Sequence, residues 1–329
     1  MTANKIVYFS GDDLRSSLTM KGCIEAMGEA FTALSSGEVS MPLRTGLEME
    51  ADNATALFMP VYLPGIKKVG VKTVTMARNN PGKGLPLIHA MMMVFDSNTG
   101  IPLAVMDGEV LTAMRTGAVS GFATSLLAKK DACTAAIIGT GPQGETQLEA
   151  VCQVRDIRKA YVFDIQPERA IVFAEKMAER LNIDVVAAES AATLRDADVI
   201  CTATSSNNPV FEDVHIKNGA HINGVGSYKP TMAEIPAKTI ARAKVVVDQM
   251  QGCLAEAGDL IQPIQQGIIT KDHIHGELGD LATGKISSRE NDDEITVFKS
   301  VGVAVQDLIT ANLALNIAQE KNIGTSLSL

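Results

Sequence analysis

The segment AAIIGTGPQGETQLEA, residues 135–150, constrains the fold of this chain more than any other. An apolar run enters a glycine-rich turn and leaves as a helix, so a buried strand must give way to a helix within a few residues. Each glycine of this G-x-G-x-x-G turn meets a separate demand. Gly139 permits the tight turn, Gly141 lets the backbone approach a pyrophosphate, and Gly144 lets the helix pack closely on its strand. Pro142 and Gln143 open the helix, where backbone N–H groups face an anion. The next strand, YVFD, ends at Asp164, 20 residues beyond Gly144. A dinucleotide fold places there the acid that accepts from the adenosine ribose 2′-OH and repels a 2′-phosphate. NAD(H) is therefore favoured; Asp164 sets a preference and leaves use of NADP(H) open. Arg169 could blunt that preference, but it reads as a solvated residue a full turn inside a helix.

With 329 residues the chain exceeds one ordinary core and indicates about two domains. A formal net charge of -9 argues against a nucleic-acid or anionic-membrane partner and leaves small metabolites. The five cysteines are scattered without CxxC spacing, so neither a disulfide framework nor zinc is implied. Cys133 and Cys201 read as small core residues. His273 and His275, in KDHIHGE, read as loop or cap residues, and no metal is expected. The start, MTANKIVYFSGDDL, has no signal-like apolar region, and no apolar run approaches the ~20 residues of a membrane span; a cytoplasmic location is the expectation.

Residues from about 10 to 37 predict capped helical segments stopping at Gly37. Strand formers cluster at 55–63, 69–76 and 88–95, separated by turns at 64–65 and 81–84, which gives an α+β region. Within the last of these, alternate residues of Met91 to Met93 are expected to fill a core and a dimer interface. Asp107 and Glu109 read as turn residues around Gly108. The run 109–128 predicts a helix leading into a second domain. Strands are then expected at 135–138, 160–163, 184–187, 198–202, 220–225 and 244–248, alternating with helices at 142–153, 167–181 and 190–195, and two short helices with a turn GELGDLATGK follow. That alternation is a doubly wound parallel sheet of Rossmann type. The final helix, about 301–322, is apolar on more than one face and must be buried, packed back on the first domain.

Several segments then carry a resemblance over essentially the whole chain: MPLRTGL (41–47), VGVKTVT (69–75), GIPLAVMDGEVLTAMRTGAVS (100–120), IIGTGPQGETQ (137–147), CTATSS (201–206), NGVGSYKP (223–230) and FKSVGVAVQD (298–307). In these the chain resembles the ornithine cyclodeaminase and mu-crystallin family. The resemblance implies an NAD(P)-dependent homodimer with a Rossmann domain, 119–304, inserted in an α+β substrate and dimerisation domain, 1–118 completed by 305–329. The family includes cyclodeaminases, archaeal alanine dehydrogenases, imino acid reductases and a thyroid-hormone-binding protein.

The resemblance implies that Arg44, Lys72 and Arg115 hold the carboxylate and the imine or amine of the substrate. An arginine fork grips a carboxylate bidentately, and a desolvated lysine is a compact donor of lowered pKa. Lys67 and Lys68 compete with Lys72, but only Lys72 lies within a strand-like run where an unpaired charge is costly. The sequence departs from the cyclodeaminases at NGVGSYKP, where Tyr228 stands in place of their aspartate, and at ATALFMP, where Leu57 stands in place of a glutamate. A phenol with pKa near 10 is a poor general base for ring closure. Around the cofactor, Thr202 and Thr204 end one strand and Val225, Gly226 and Ser227 the next, while Ser300 and Val301 match a family loop near nicotinamide and substrate. The expected activity is reduction of a small cyclic ketimine such as Δ1-pyrroline-2-carboxylate, to L-proline, or its six-membered homologue. Alanine dehydrogenase, ornithine cyclodeaminase and a mu-crystallin-like ligand-binding role are the alternatives.

Overall fold

A computed structural model describes residues 5–328; residues 1–4 and 329, assigned above to the ends of the first domain, lie outside them. The chain forms two compact units, one running to Arg115 and resumed from Val303, the other Thr116–Gly302.

The first unit begins with β1 (Lys5–Phe9), α1 (Gly11–Ser17) and α2 (Met20–Ser35). Both helices start where a short oxygen-bearing side chain replaces the missing intrahelical acceptor. Ser10 accepts from the Asp13 N–H while Asp13 accepts from Ser10, and Thr19 accepts from the Gly22 N–H. Then follow β2 (Thr45–Met49), β3 (Ala54–Leu63), β4 (Lys68–Ala77), β5 (Ile88–Asp96) and β6 (Pro102–Asp107), leading into α3 (Gly108–Leu127). The three central strands are those expected, whereas β1, β2 and β6 were not. Asp107 and Glu109 do not flank a reverse turn. Asp107 ends β6, and its Oδ1 accepts from the Glu109 and Val110 N–H groups, which starts α3.

The second unit contains β7 (Thr134–Ile138), α4 (Pro142–Val154), β8 (Lys159–Phe163), α5 (Pro167–Leu181), β9 (Asp184–Ala187), β10 (Val199–Thr202) and β11 (His221–Gly224). After them come α6 (Ala237–Arg242), β12 (Lys244–Val247), α7 (Met250–Glu256), α8 (Gly258–Gln265), β13 (Ile274–Glu277), α9 (Leu278–Ala282) and β14 (Thr296–Lys299). The eight strands form one sheet in the order β13-β12-β14-β11-β10-β7-β8-β9, with parallel pairing throughout. Ala136, Ile138, Ile200 and Ile222 enter one apolar cluster. Ala135, Ile137, Val199 and Cys201 enter another. A sheet buried on both faces requires such uninterrupted apolar runs. The helix expected near 190–195 is a 3-10 turn, Ala191–Asp196, and GELGDLATGK is the end of β13 followed by α9 rather than a turn. Cys201 is buried as expected, but Cys133 is only half-buried.

The chain returns to the first unit as α10 (Ala304–Lys321) and β15 (Thr325–Ser328). The first sheet runs β15-β1-β6-β5-β4-β3-β2. Residues 304–311 of α10 are buried without interruption, and the helix packs on β3, β4 and α2, as a sequence apolar on more than one face requires. Met92 is fully buried while Met91 is 51% exposed, the alternation of a strand with one covered face. Among the described residues no helix is long and apolar enough to cross a membrane.

Candidate active site

In the first unit, Lys72 lies on β4 between Met59 of β3 and Met92 of β5. All three side chains are buried, and Lys72 is only 1% exposed. Such a burial requires an anion, and α10 supplies one. The Lys72 Nζ donates to Asp307 Oδ1 at 2.8 Å and lies 2.8 Å from Oδ2; it also reaches Thr112 Oγ1 on α3 at 3.3 Å. Arg115, on α3, donates from Nε to the same Asp307 Oδ1 at 3.1 Å and from Nη1 to Gln306 Oε1 at 2.7 Å. Arg44 is half-buried, immediately before β2.

Burial drives the Lys72 pKa down from 10.5 to about 8, with Asp307 opposing the shift and the charges of Arg115 and Arg44 adding to it. Lys72 and Arg115 therefore share one carboxylate while Lys72 also feels the charge of Arg44, an excess of positive charge suited to a substrate carboxylate. Lys67 sits exposed at a left-handed turn with φ 53°, and Lys68 is half-buried at the start of β4, so Lys72 is the buried member of the three. Asp307 and Gln306 close the segment FKSVGVAVQD, and sequence reasoning assigns them no role. Their signal was an acid and an amide inside a helix apolar on more than one face, where each needs a polar partner.

Tyr228 and Val301 belong to the second unit, so the expected substrate residues are divided between the units. Tyr228 is half-buried after β11, with the Lys229 Nζ 5.9 Å from its ring centre. Leu57 is half-buried on β3, paired with Gly46 and Val74.

In the second unit the glycine turn joins β7 to α4. Gly139 has φ 102°, and a Cβ there would lie 2.6 Å from the Ala203 carbonyl oxygen; a Cβ on Gly144 would lie 2.2 Å from the Gly139 oxygen. At Gly141 a Cβ would meet nothing within 4 Å, so open space faces the helix start. Pro142 and Gln143 begin α4, which has no side-chain cap. An uncapped helix N-terminus opening onto free space fits a pyrophosphate. Asp164 follows β8; its Oδ2 accepts from Thr140 N–H at 3.1 Å and Thr140 Oγ1 at 2.5 Å, and its Oδ1 from Gln166 N–H at 3.0 Å. Burial pushes the Asp164 carboxyl up, but these donors and Arg169 together hold it below its usual range. Arg169 is the third residue of α5 and exposed, in the first helical turn rather than one turn inside.

Thr202 ends β10 and Thr204 follows it; Val225, Gly226 and Ser227 follow β11; Ser300 and Val301 follow β14. All stand at carboxyl ends of parallel strands, where open α/β sheets receive ligands. The set fits NAD(H). His273 Nε2 meets the Ile240 carbonyl oxygen and His275 Nε2 that of Ser287, and the described residues contain no metal-binding cluster.

The sequence profile of the ornithine cyclodeaminase/mu-crystallin family matches residues 7–322. A Delta(1)-pyrroline-2-carboxylate reductase of Bacillus cereus is 38% identical over 324 residues, which cover 98% of this chain and 99% of the relative. The structure of Thermococcus litoralis Delta(1)-pyrroline-2-carboxylate reductase in complex with NADH and L-proline is 44% identical with a TM-score of 0.94, covering 97% of this chain and 99% of that one. An archaeal alanine dehydrogenase dimer with bound NAD is 32% identical with a TM-score of 0.92, covering 99% of both chains. With a match that spans both units, the chain belongs to the ornithine cyclodeaminase/mu-crystallin family.

Proposed function

We propose that this protein is an NADH-dependent reductase of a cyclic ketimine, converting Δ1-pyrroline-2-carboxylate to L-proline, or its six-membered homologue to L-pipecolate. The observation that carries the reading is the Lys72 ammonium, buried and held by Asp307 beside Arg115. Reduction of a C=N bond asks the protein for orientation and for a proton on nitrogen. Bound NADH supplies the hydride. Arg115 and Arg44 grip the substrate carboxylate as forks, and Lys72 donates to the imine nitrogen. Tyr228 and Leu57 offer no carboxylate to the second amine of a diamino acid, which separates this chain from the cyclodeaminases.

The test follows NADH consumption with Δ1-pyrroline-2-carboxylate, beside pyruvate plus ammonia and beside ammonia release from ornithine. Rapid loss of NADH on the cyclic imine is expected. Turnover confined to pyruvate plus ammonia would assign the chain to alanine dehydrogenase chemistry, and ammonia from ornithine would overturn the reading of Tyr228.

Replacing Asp164→Ser removes the acceptor for the ribose 2′-OH and the charge that repels a 2′-phosphate. The preference for NADH over NADPH, as a ratio of kcat/KM values, is expected to fall by about 100-fold. An unchanged ratio would remove Asp164 from cofactor selection.

The protein is also proposed to be a homodimer. Leu47, Phe58, Tyr62, Val69 and Met91 stay exposed on β2–β5. Apolar side chains gathered on one sheet face mark an interface between chains. The double variant Phe58→Glu, Met91→Glu is expected to elute as a monomer with its mass confirmed by light scattering. A dimer that survives both charges would place the interface elsewhere.

A further inference from the structure

The second unit buries charge that substrate binding does not use. Glu234, between β11 and α6, is fully buried. Its Oε2 accepts from Thr202 Oγ1 at 3.0 Å, Gly226 N–H at 2.7 Å and Ser227 N–H at 3.1 Å, and its Oε1 from Thr204 N–H at 2.6 Å. One side chain thus joins the loop after β10 to the loop after β11. The approach is so close that a Cβ on Gly226 would lie 2.2 Å from the Thr204 carbonyl oxygen and 2.4 Å from Glu234 Oε1. Glu234 is fixed in turn, because its N–H and that of Ile235 donate to Asp259 Oδ1 at 2.6 and 2.9 Å. Asp259 Oδ2 lies 3.0 Å from the Nζ of Lys299, the last residue of β14. Next to it Asp248, after β12, gathers Ser300 Oγ and the N–H groups of Val301 and Gly302 at 2.7 to 2.9 Å.

Burial raises the Glu234 carboxyl above its usual range, with Lys299 and the donors opposing. Three of the four contacts to its side chain are backbone N–H groups, which only donate, and the fourth is a hydroxyl, so the carboxylate is the form that satisfies them best. Glu234, Asp248 and Asp259 are three buried acids against one buried ammonium, Lys299. Excess negative charge therefore lies beneath the strand ends.

We propose that Glu234 positions the β10 and β11 loops and sets a fixed negative charge under the nicotinamide half of the dinucleotide, favouring the cationic oxidised ring over the neutral reduced one. The inference rests on the dinucleotide reading. Asp164 marks the adenosine side at β8, and β10 and β11 lie across β7 from it, so the other half of the cofactor extends over their ends. Charge fixed where positive charge develops needs no reorganisation during hydride loss. Glu234 acts here as a positioning residue.

The test measures Kd for NADH by its fluorescence and for NAD+ by competition, in the full-length protein. Wild-type binding of NADH checks the dinucleotide reading itself; its absence would overturn that reading together with this inference. Glu234→Gln removes the charge and sets an amide NH2 against at least one backbone N–H, so both Kd values should rise. It is expected to weaken NAD+ more than NADH, raising the ratio Kd(NAD+)/Kd(NADH) by about five- to tenfold. Asp248→Asn is expected to move the ratio in the same direction by a smaller factor. Glu234→Asp keeps the charge with a shorter reach, so both Kd values should rise together at a constant ratio; this variant serves if the Gln variant does not fold. Equal weakening of both nucleotides in Glu234→Gln, or no change in either, would overturn the proposal, as would a ratio altered by Glu234→Asp.

Discussion

Replacing Lys72 by methionine is expected to lower kcat/KM for the cyclic imine by about 10³-fold or more, the range of a positioned acid that is lost. Folding should survive, because Met fills the slot between Met59 and Met92 and Asp307 retains Arg115. Lys72→Arg should not rescue, since a planar fork cannot replace a compact ammonium there. The pH profile distinguishes a proton donor from a structural cation. With the Lys72 pKa at about 8, wild-type kcat/KM should fall as pH rises through that value, as the donor loses its proton. Stability linked to the same group runs the other way. Its pKa in the folded protein is lowered from 10.5, so between about 8 and that value the unfolded chain binds more protons and folding is favoured as pH rises. Activity lost above pH 8 without a fall in Tm would locate the effect in the ammonium. A profile that is flat through that region would remove Lys72 from the proton transfer.

The second large effect is expected at Asp307. Removing it with Asp307→Ala leaves Lys72 and Arg115 buried without their shared anion, at a cost of about 3–5 kcal/mol. Calorimetry should show Tm lowered by roughly 10 °C, with the variant poorly active even where it remains folded. Asp307→Asn keeps the shape and isolates the charge. Because the carboxylate raises the Lys72 pKa against burial, its loss should move the alkaline limb of kcat/KM below about 8. A limb that stays in place would show that Asp307 does not tune the lysine.

The sequence announced the second unit far better than the first, and the reason is burial. Strands covered on both faces, such as β7 with its run Ala135 to Ile138, are apolar over the covered length, and their alternation with helices is unambiguous. The first unit's β2, TGLEM, is exposed along nearly its whole length, and β1 is only partly covered, so neither carries a strong pattern. β6 was hidden behind Pro102 and Gly108, two residues that read as punctuation. The segment near 190–195 is six residues, too short for composition to separate an α-helix from a 3-10 turn.

The candidate site divides along a similar line. Lys72 was identifiable because a lysine inside VGVKTVT is locally anomalous, and the glycine turn because its spacing is local too. The carboxylates that organise both units have no local sign of their partners. Asp307 meets a lysine 235 residues away, and Glu234 meets a threonine 32 residues away. Pairings of that kind are decided by sheet register and helix packing, which become available only once the chain is folded.

The central claim is that hydride passes to the carbon of a ring imine. It is tested most directly by turning over Δ1-pyrroline-2-carboxylate with NADH deuterated at C4, on each face in parallel, and examining the product by mass spectrometry and NMR. L-Proline carrying one deuterium at C2 from one of the two labelled cofactors is the predicted result. Proline without label from either cofactor, or no proline while pyruvate and ammonia or ornithine are consumed, would contradict it.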